Sequence, residues 1–515
     1  MSIILLVIPT LLIGIISYYL WIWTYWKRRG IPGPMGYPVV GVTREMNDHW
    51  NSPHKLMQKW TQEYGKIYGI TEGVYKTLVI SDPSLINEVF LEQFDNFYGR
   101  KINPLQGDPD NDKMIFLFAS QGYRWKRLRS ISSPSFSNNS LRKVMNTVEE
   151  CALDLLRHIE KKEGEEIDML VYYQEYTMDV ISKIAMGQTE SQMFNTPFIA
   201  DVDAIFGPTY ATSFMIATVI PWFAKLFSVI TRNMAKYVKT PGFEILMTMD
   251  TNVRKRMEQR EEDEKNGIEI GEPADFIDLF LDARADVDML EEDNDDFNKT
   301  CKVMRQQMTV DEIIGQCFVF ILAGFDTTAL SLSYSSYLLA THPNIMKKLQ
   351  EEIDRECPDP SISFDQLSKL KYMDCVVKET LRMYPLASVA NTRKCMRNAK
   401  IGGMEIEEGT YIQVDTWTLH YDKKIWGEDA EEFRPERWDN MDDNSVKSSS
   451  YLPFGLGPRQ CIGMRLAYME EKLLLSHILR KYTFKTTPKT DIPLKLIGRT
   501  TTSPESVKMI LKPRY

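Results

Sequence analysis

The sequence of 515 residues contains no CxxC pair, although it holds seven cysteines, Cys151, Cys301, Cys317, Cys357, Cys375, Cys395 and Cys461. That absence excludes a zinc ribbon or a thioredoxin-type site. So few cysteines, odd in number and widely spaced, fit a reducing compartment, where most serve as small buried hydrophobes. There is no excess of basic charge. The formal net charge is −9, which argues against nucleic acid as a partner. No internal repeat is present, and no nicotinamide or flavin fingerprint occurs. The hydrophobic fraction of 43 % and the charged fraction of 26 % describe a globular chain with a large core. Acidic excess is local, in Glu261-Glu262-Asp263-Glu264 and in the run from Glu291 to Asp296. Both read as solvated loops.

Charge is also missing from Ser2 to Trp26, which are almost continuously apolar. About 20 apolar residues span a bilayer core as a helix. Tyr18, Tyr19, Trp21, Trp23, Tyr25 and Trp26 suit the membrane interface, and Lys27, Arg28 and Arg29 follow at once. Basic residues on that flank place the rest of the chain on the cytoplasmic side. A cleaved signal would carry its basic residue before the apolar run and a small-residue site after it, and neither is found. Ile31-Pro32-Gly33-Pro34 reads as a stiff tether. The expected organisation is an anchor at 1–26, a basic and proline-rich linker at 27–48, and one catalytic domain at 49–515.

That domain reads as mainly α with small β-sheets (α+β). Helical periodicity runs through Leu141–Lys161, Gln174–Met186, Asp311–Ala340, Ile345–Glu356, Ser368–Met383 and Met464–Lys481. Strand-like runs are Ile67–Thr71, Leu78–Ile80, Lys400–Ile406 and Tyr411–Val414. The apolar stretch Phe214–Ile230, broken by Pro221, reads equally as core or as a surface helix dipping into lipid near a substrate entrance.

One cysteine stands apart. In Pro453-Phe454-Gly455-Leu456-Gly457-Pro458-Arg459-Gln460-Cys461-Ile462-Gly463, three glycines flank Cys461 in a loop leading into a helix near Met464. As an iron ligand Cys461 would use every piece. Glycines let backbone approach a flat macrocycle. N–H groups at a helix start favour a thiolate, and Arg459 can reach a propionate. A buried cysteine beside a turn would leave unexplained why Phe454, Gly457, Arg459, Cys461 and Gly463 occur together.

A second anomaly lies mid-helix. Thr309 and Glu312 form a capping box, and the apolar helix after it contains Ala323-Gly324-Phe325-Asp326-Thr327-Thr328. Glycine, an acid and hydroxyls are poor mid-helix choices. Such breaches mark functional sites. An acid and an alcohol with ordered water can relay protons away from bulk solvent, and Gly324 is expected to leave room for dioxygen.

The two segments resemble the haem-binding loop, FxxGxRxCxG, and the oxygen-activating helix, (A/G)Gx(D/E)T(T/S), of the cytochromes P450. The resemblance runs from Ile31-Pro32-Gly33-Pro34 to the segment beginning at Ile492. It is most similar to the microsomal branch that oxidises drugs and steroids. It implies the cytochrome P450 fold and haem b held through Cys461, with Phe454 and Gly463 in the binding loop. It implies Asp326 and Thr327 as the catalytic acid–alcohol pair. Trp125, Arg129 and Arg393 join Arg459 around the haem propionates. Glu379, Arg382 and Arg437 form a structural lock that braces the haem loop. Phe116, Phe118, Leu322, Ala323, Ala387 and the turn near Thr500 are expected to line the substrate pocket. Where that branch has an arginine pair before its substrate loop, this chain has Phe97-Tyr98-Gly99-Arg100, which leaves the contact of Arg100 with haem open.

The implied activity is monooxygenation of an apolar small molecule, with broad-specificity oxidation of foreign compounds as its type. Electrons come from NADPH through the membrane-bound cytochrome P450 reductase, with cytochrome b5 as a further partner. The implied location is the endoplasmic reticulum membrane, with lipid around a single-pass anchor. Lys126 and Arg127 are expected outward, as docking cations for the reductase. A peroxide-rearranging isomerase or dehydratase, needing no reductase, is the alternative. A haem sensor or carrier without turnover is a third. The Asp326–Thr327 pair argues against both.

Overall fold

The computed structural model describes residues 2–515 except 103–104, 106–107, 110–111, 208–210, 225, 228–241, 270, 272, 274, 284–306 and 440–448. The acidic run from Glu291 to Asp296, Cys301 and the end of the Phe214–Ile230 stretch lie outside the described residues.

The chain is mainly helical with small sheets. Its principal helices are α1 (Ser2–Trp23), α2 (Gly122–Ser132), α3 (Asn138–Glu160), α4 (Met169–Met186), α5 (Phe198–Phe206), α6 (Ala211–Val219), α7 (Phe243–Lys265), α8 (Val310–Thr341), α9 (Lys371–Met383) and α10 (Met464–Lys481). The capping box opens α8: Glu312 N–H donates to Thr309 Oγ1 at 3.2 Å, and Thr309 N–H donates to Glu312 Oε2 at 3.1 Å. This satisfies two of the amides that every helix start leaves unpaired. By length and composition α8 could cross a membrane, but most of it is buried within the protein. It is the core helix, and α4 crosses it closely. Thr177 Oγ1 donates to the Phe325 carbonyl at 2.8 Å, and the Tyr173 and Ser336 hydroxyls meet at 2.5 Å.

A four-stranded sheet stands beside the helices. Strands β1 (Ile67–Glu72), β2 (Tyr75–Ile80), β3 (Thr392–Lys394) and β4 (Tyr411–Val414) run in the order β1-β2-β4-β3. β1 and β2 are antiparallel, with Ile67 opposite Ile80. β2 and β4 are parallel, with Thr77 opposite Tyr411, and β3 pairs antiparallel to β4. The strand-like run Lys400–Ile406 is a hairpin, Ala399–Ile401 and Met404–Ile406, turning through Gly402-Gly403 at φ +52° and +82°. The periodic run Ser368–Met383 divides into Phe364–Lys369 and α9, with Leu370 between them at ψ 77°.

Two readings of charge and polarity are corrected here. Glu261–Glu264 is the end of α7 rather than a loop. Ile245, Met249 and Val253 recur every four residues and bury one face of that helix, so it continues into solvent as a charged end. The aromatic end of the apolar run is partly protein core. Tyr25 and Trp26 are buried with Leu78, Ile80 and Phe90, and Trp26 Nε1 donates to the Ile70 carbonyl at 2.9 Å. Arg29, read as a flanking cation, is paired with Glu407. The Pro32 carbonyl accepts from Gly69 N–H at 2.8 Å, so this tether lies against β1.

Candidate active site

Cys461 is placed by the loop before α10. Gly455 and Gly457 turn the chain at φ +77° and +74°. A Cβ on Gly457 would run into the carbonyl of Phe90, so glycine is required on both counts. Cys461 N–H donates to the Phe454 carbonyl at 2.9 Å and closes the loop, while the Phe454 ring packs on Tyr468 of α10, 5.3 Å between centroids. Gly463 caps α10. The sulfur receives hydrogen bonds from the backbone at Gly463 and Met464 and feels Arg129 and Arg100; each lowers the thiol pKa, but burial outweighs them and the thiol sits above its ordinary value. Cys461 is surface-accessible.

Four arginines gather beside it. Arg459 Nη2 donates to the Ser120 carbonyl at 2.7 Å, and Arg393 Nη2 to the Leu456 carbonyl at 2.9 Å. Arg129 Nη1 reaches the Gln460 carbonyl at 2.8 Å. Arg100, whose contact was left open, donates to the carbonyls of Ala390 and Arg459, both at 2.9 Å. Among the described residues none of the four pairs with an acidic side chain. Nε of Arg100, Arg393 and Arg459 and Nη1 of Arg459 are buried without a partner. Burial and mutual repulsion depress these guanidinium pKa values, to about 10 for Arg100 and well below the ordinary value for Arg393 and Arg459. Trp125 lies under Arg459, 4.5 Å from centroid to guanidinium carbon, and Phe118 under Arg100 at 4.4 Å. Buried cations with N–H groups to spare form a receptor for carboxylates. The donor set fits a haem group: the arginines would take its two propionates and Cys461 would take its iron.

The second group of expected site residues lies in the middle of α8. Asp326 is buried and accepts from Thr501 Oγ1 at 2.6 Å. Burial raises its pKa to about 6, against the Thr501 bond, which lowers it; Asp203 raises it further. Thr327 does not bond Asp326. Its hydroxyl donates to the Ala323 carbonyl, 2.7 Å away on the preceding turn. Neighbouring helical residues point about 100° apart, so the expected pair is two groups on adjacent directions, and Thr501 is the partner that sequence reasoning did not single out. Gly324 does not leave room for dioxygen. A Cβ there would sit 3.0 Å from Ile181 Cδ1, so the missing side chain lets α4 and α8 approach. Ala323 is exposed in the middle of this otherwise buried helix, and Leu322 is half-buried. Phe116 and Phe118 are half-buried, alternating with buried Ile115 and Leu117, and Ala387 is half-buried too.

Behind the cysteine loop lies the lock. Arg382 donates twice to Glu379, Nε to Oε2 and Nη2 to Oε1, both at 2.9 Å. Arg437 Nε reaches Glu379 Oε1 at 3.1 Å and Trp438 Nε1 reaches Oε2 at 2.9 Å. Glu379 and Arg382 have no exposed surface, so this is a buried network rather than a surface pair. His420 carries it to the loop. Its Nε2 accepts from Leu452 N–H at 2.9 Å and its Nδ1 meets the Arg382 carbonyl at 3.0 Å. A carbonyl needs a donor, so the proton is on Nδ1. Burial lowers the His420 pKa to about 3, so the ring is neutral.

The two cations expected to point outward part company. Lys126 is exposed. Arg127 is buried, with Nη2 2.7 Å from Glu312 Oε1, and Arg124 meets the same carboxylate at 2.8 Å. Arg124 and Arg127 are three apart on α2 and share the face toward the start of α8.

A thiol at a helix start beside four buried arginines fits a haem-thiolate class of protein. The family model described as Cytochrome P450 matches residues 31–511, and the chain belongs to the cytochrome P450 family. It is 60 % identical over 518 residues to a Caenorhabditis elegans protein whose name assigns it to cytochrome P450 as CYP13A10, covering 100 % of both chains. It is also 60 % identical over 509 residues to the CYP13A1 protein of the same organism, covering 98 % of this chain and 97 % of that one. The CYP13A4 protein is 56 % identical over 520 residues. Membership makes the chain an oxidoreductase of the haem-thiolate monooxygenase family, and the family implies a haem cofactor.

Proposed function

We propose that the protein inserts one oxygen atom from dioxygen into an apolar small molecule, receiving electrons from NADPH through a membrane-bound flavin reductase. Cytochrome b5 serves as a further donor, and α1 anchors the chain in the endoplasmic reticulum membrane. Broad oxidation of foreign compounds is the type of activity. The observation that carries the reading is the pairing of a thiol at a helix start with four arginines that, among the described residues, lack carboxylate partners.

Haem, when bound, supplies an iron centre that takes electrons singly and activates dioxygen. The residues do the rest. Cys461 would donate its sulfur to the iron, where the amides of Gly463 and Met464 would stabilise negative charge. Arg100, Arg129, Arg393 and Arg459 would hold the propionates, with Trp125 packed beneath Arg459. Glu379, Arg382 and Arg437 keep the loop rigid through His420. Asp326, with a pKa near 6, can both hold and release a proton close to neutral pH, and Thr501 fixes its direction. Thr327 presents a hydroxyl one residue on. Phe116, Phe118, Leu322, Ala323 and Ala387 give substrate an apolar wall that excludes water. Lys126 contributes to the reductase face.

The test is the carbon-monoxide difference spectrum of reduced, purified protein beside a Cys461→Ala variant. A strongly red-shifted Soret band in the parent, lost in the variant, is expected. A band typical of histidine ligation, or no haem in folded parent protein, would overturn the reading. NADPH-dependent product formation with the reductase then tests the electron route.

A further inference from the structure

A two-stranded hairpin, Leu496–Ile497 against Ser503–Pro504, carries its tip to the middle of α8. Bonds to distant parts of the chain fix that tip. Gly498 N–H donates to the His49 carbonyl, Thr502 N–H donates to the Leu386 carbonyl, and the Tyr334 hydroxyl of α8 donates to the Thr502 carbonyl, each at 2.7 Å. Gly498 turns at φ +102°, and a Cβ there would strike the Thr501 carbonyl, so the turn is tight. Thr501, on this tip, holds Asp326 at 2.6 Å. Arg499 lies two residues before it, at most about 7 Å away along the backbone. Arg499 faces α6: its guanidinium carbon lies 4.3 Å from the centroid of the Phe214 ring. The far end of α6 meets the anchor, where the Tyr19 hydroxyl of α1 donates to the Val219 carbonyl at 2.8 Å. Arg499 therefore stands on a continuous line of contacts from the apolar anchor to the middle of α8.

Arg499 is only 9 % exposed, and among the described residues no acid pairs with it. Its hydrogen bond, from Nη1 to Asn47 Oδ1, is 3.5 Å long, longer than an ordinary N–H···O bond. Phe214 covers a flat face of the guanidinium, but the N–H groups point from its edge. There Nε and Nη2 meet no acceptor among the described residues. Next to the tip, His49 buries its Nδ1 without a partner. A cation withdrawn from water is costly until an anion meets it. The arginine fork matches a carboxylate with two parallel bonds, and the bonds that fix the tip hold the backbone carrying that fork before any ligand arrives. The residues assigned to the substrate wall, Phe116, Phe118, Leu322, Ala323 and Ala387, carry no charge and suit an apolar remainder. We infer that Arg499 determines specificity for substrates that join an apolar body to a carboxylate. The inference deepens the proposed function, on which it rests for the identity of the substrate site.

The test uses the full-length holoprotein in nonionic detergent micelles and two probes of equal shape. 6-Phenylhexanoate is ionised at neutral pH, and 6-phenylhexanamide is its neutral isostere. Dissociation constants come from equilibrium dialysis. The parent is expected to bind the acid more tightly than the amide. Arg499→Gln is expected to weaken acid binding about tenfold or more and to leave the amide within about twofold. Arg499→Met, of similar length and without charge, is expected to act alike, so the result does not hang on the folding of one variant. A parent without preference for the acid, equal weakening of both probes by the substitutions, or no change in either would overturn the assignment. Haem content, read on the same samples, separates the two claims. A chain without haem that keeps the Arg499-dependent preference removes the proposed function alone, and normal haem without that preference removes this inference alone.

Discussion

Glu471 ties α10 to α8 through Ser331 and Ser335, whose hydroxyls each donate to its carboxylate at 2.7 Å. It is 2 % exposed. Burial raises its pKa from 4.5 to about 7, against the two serine bonds, which lower it. The folded state therefore holds this proton more tightly than the unfolded chain. Stability falls as pH rises from about 4.5 to about 7 and is level above that, because both states have then lost the proton. The interval corresponds to about 3 kcal/mol. Glu471→Gln keeps an acceptor for one serine and removes the charge. The difference in unfolding free energy, variant minus parent, should lie within about 1 kcal/mol of zero near pH 5. It should favour the variant by about 3 kcal/mol near pH 8.5. Urea unfolding followed by far-ultraviolet circular dichroism measures it, and taking the difference removes the common contributions of Glu470 and the buried histidines. A difference that stays flat across this range would refute the reasoning, because the carboxyl would then titrate alike in both states.

Arg382→Lys cannot reproduce the two-pronged contact with Glu379 or reach the carbonyls of His420 and Ala430. It should destabilise the fold by about 3 to 5 kcal/mol, seen as an earlier urea midpoint and loss of haem retention. Gly324→Val should be far worse than Gly324→Ala, because its added methyls enter Ile181. Ile181→Ala should rescue part of that loss in a double-mutant cycle. Thr501→Val removes the hydrogen bond that lowers the Asp326 pKa, so any limb of the pH–turnover profile set by Asp326 should move upward from about 6. Gly457→Ala places a methyl on the Phe90 carbonyl at positive φ, and should yield folded protein with little bound haem or none.

How much was legible in advance varies with the range of the interaction. Long helices were readable because one buried face repeats with the helical period, as in α3 and α10. Cys461 and its glycines were readable because a loop that turns at positive φ through Gly455 and Gly457 admits few residues at fixed spacing. Glu379 and Arg382 were readable as an i, i+3 pair, whereas the burial that makes them a lock depends on Arg437, Trp438 and His420 arriving from elsewhere. Arg127 misled because a lone helix gives no sign of which face meets α8. Gly324 misled for the same reason, since its neighbour Ile181 is 143 residues away.

The sequence by itself determined the class of helix-rich fold, the cysteine and the mid-helix acid, because these follow from composition and local spacing. Tertiary structure alone decided that Arg100 joins the buried arginines and that Thr501 holds Asp326. In each case the partner lies far along the chain. Only packing fixes which charges lose their water and which cations and donors remain within reach, and those two facts set what a side chain can do.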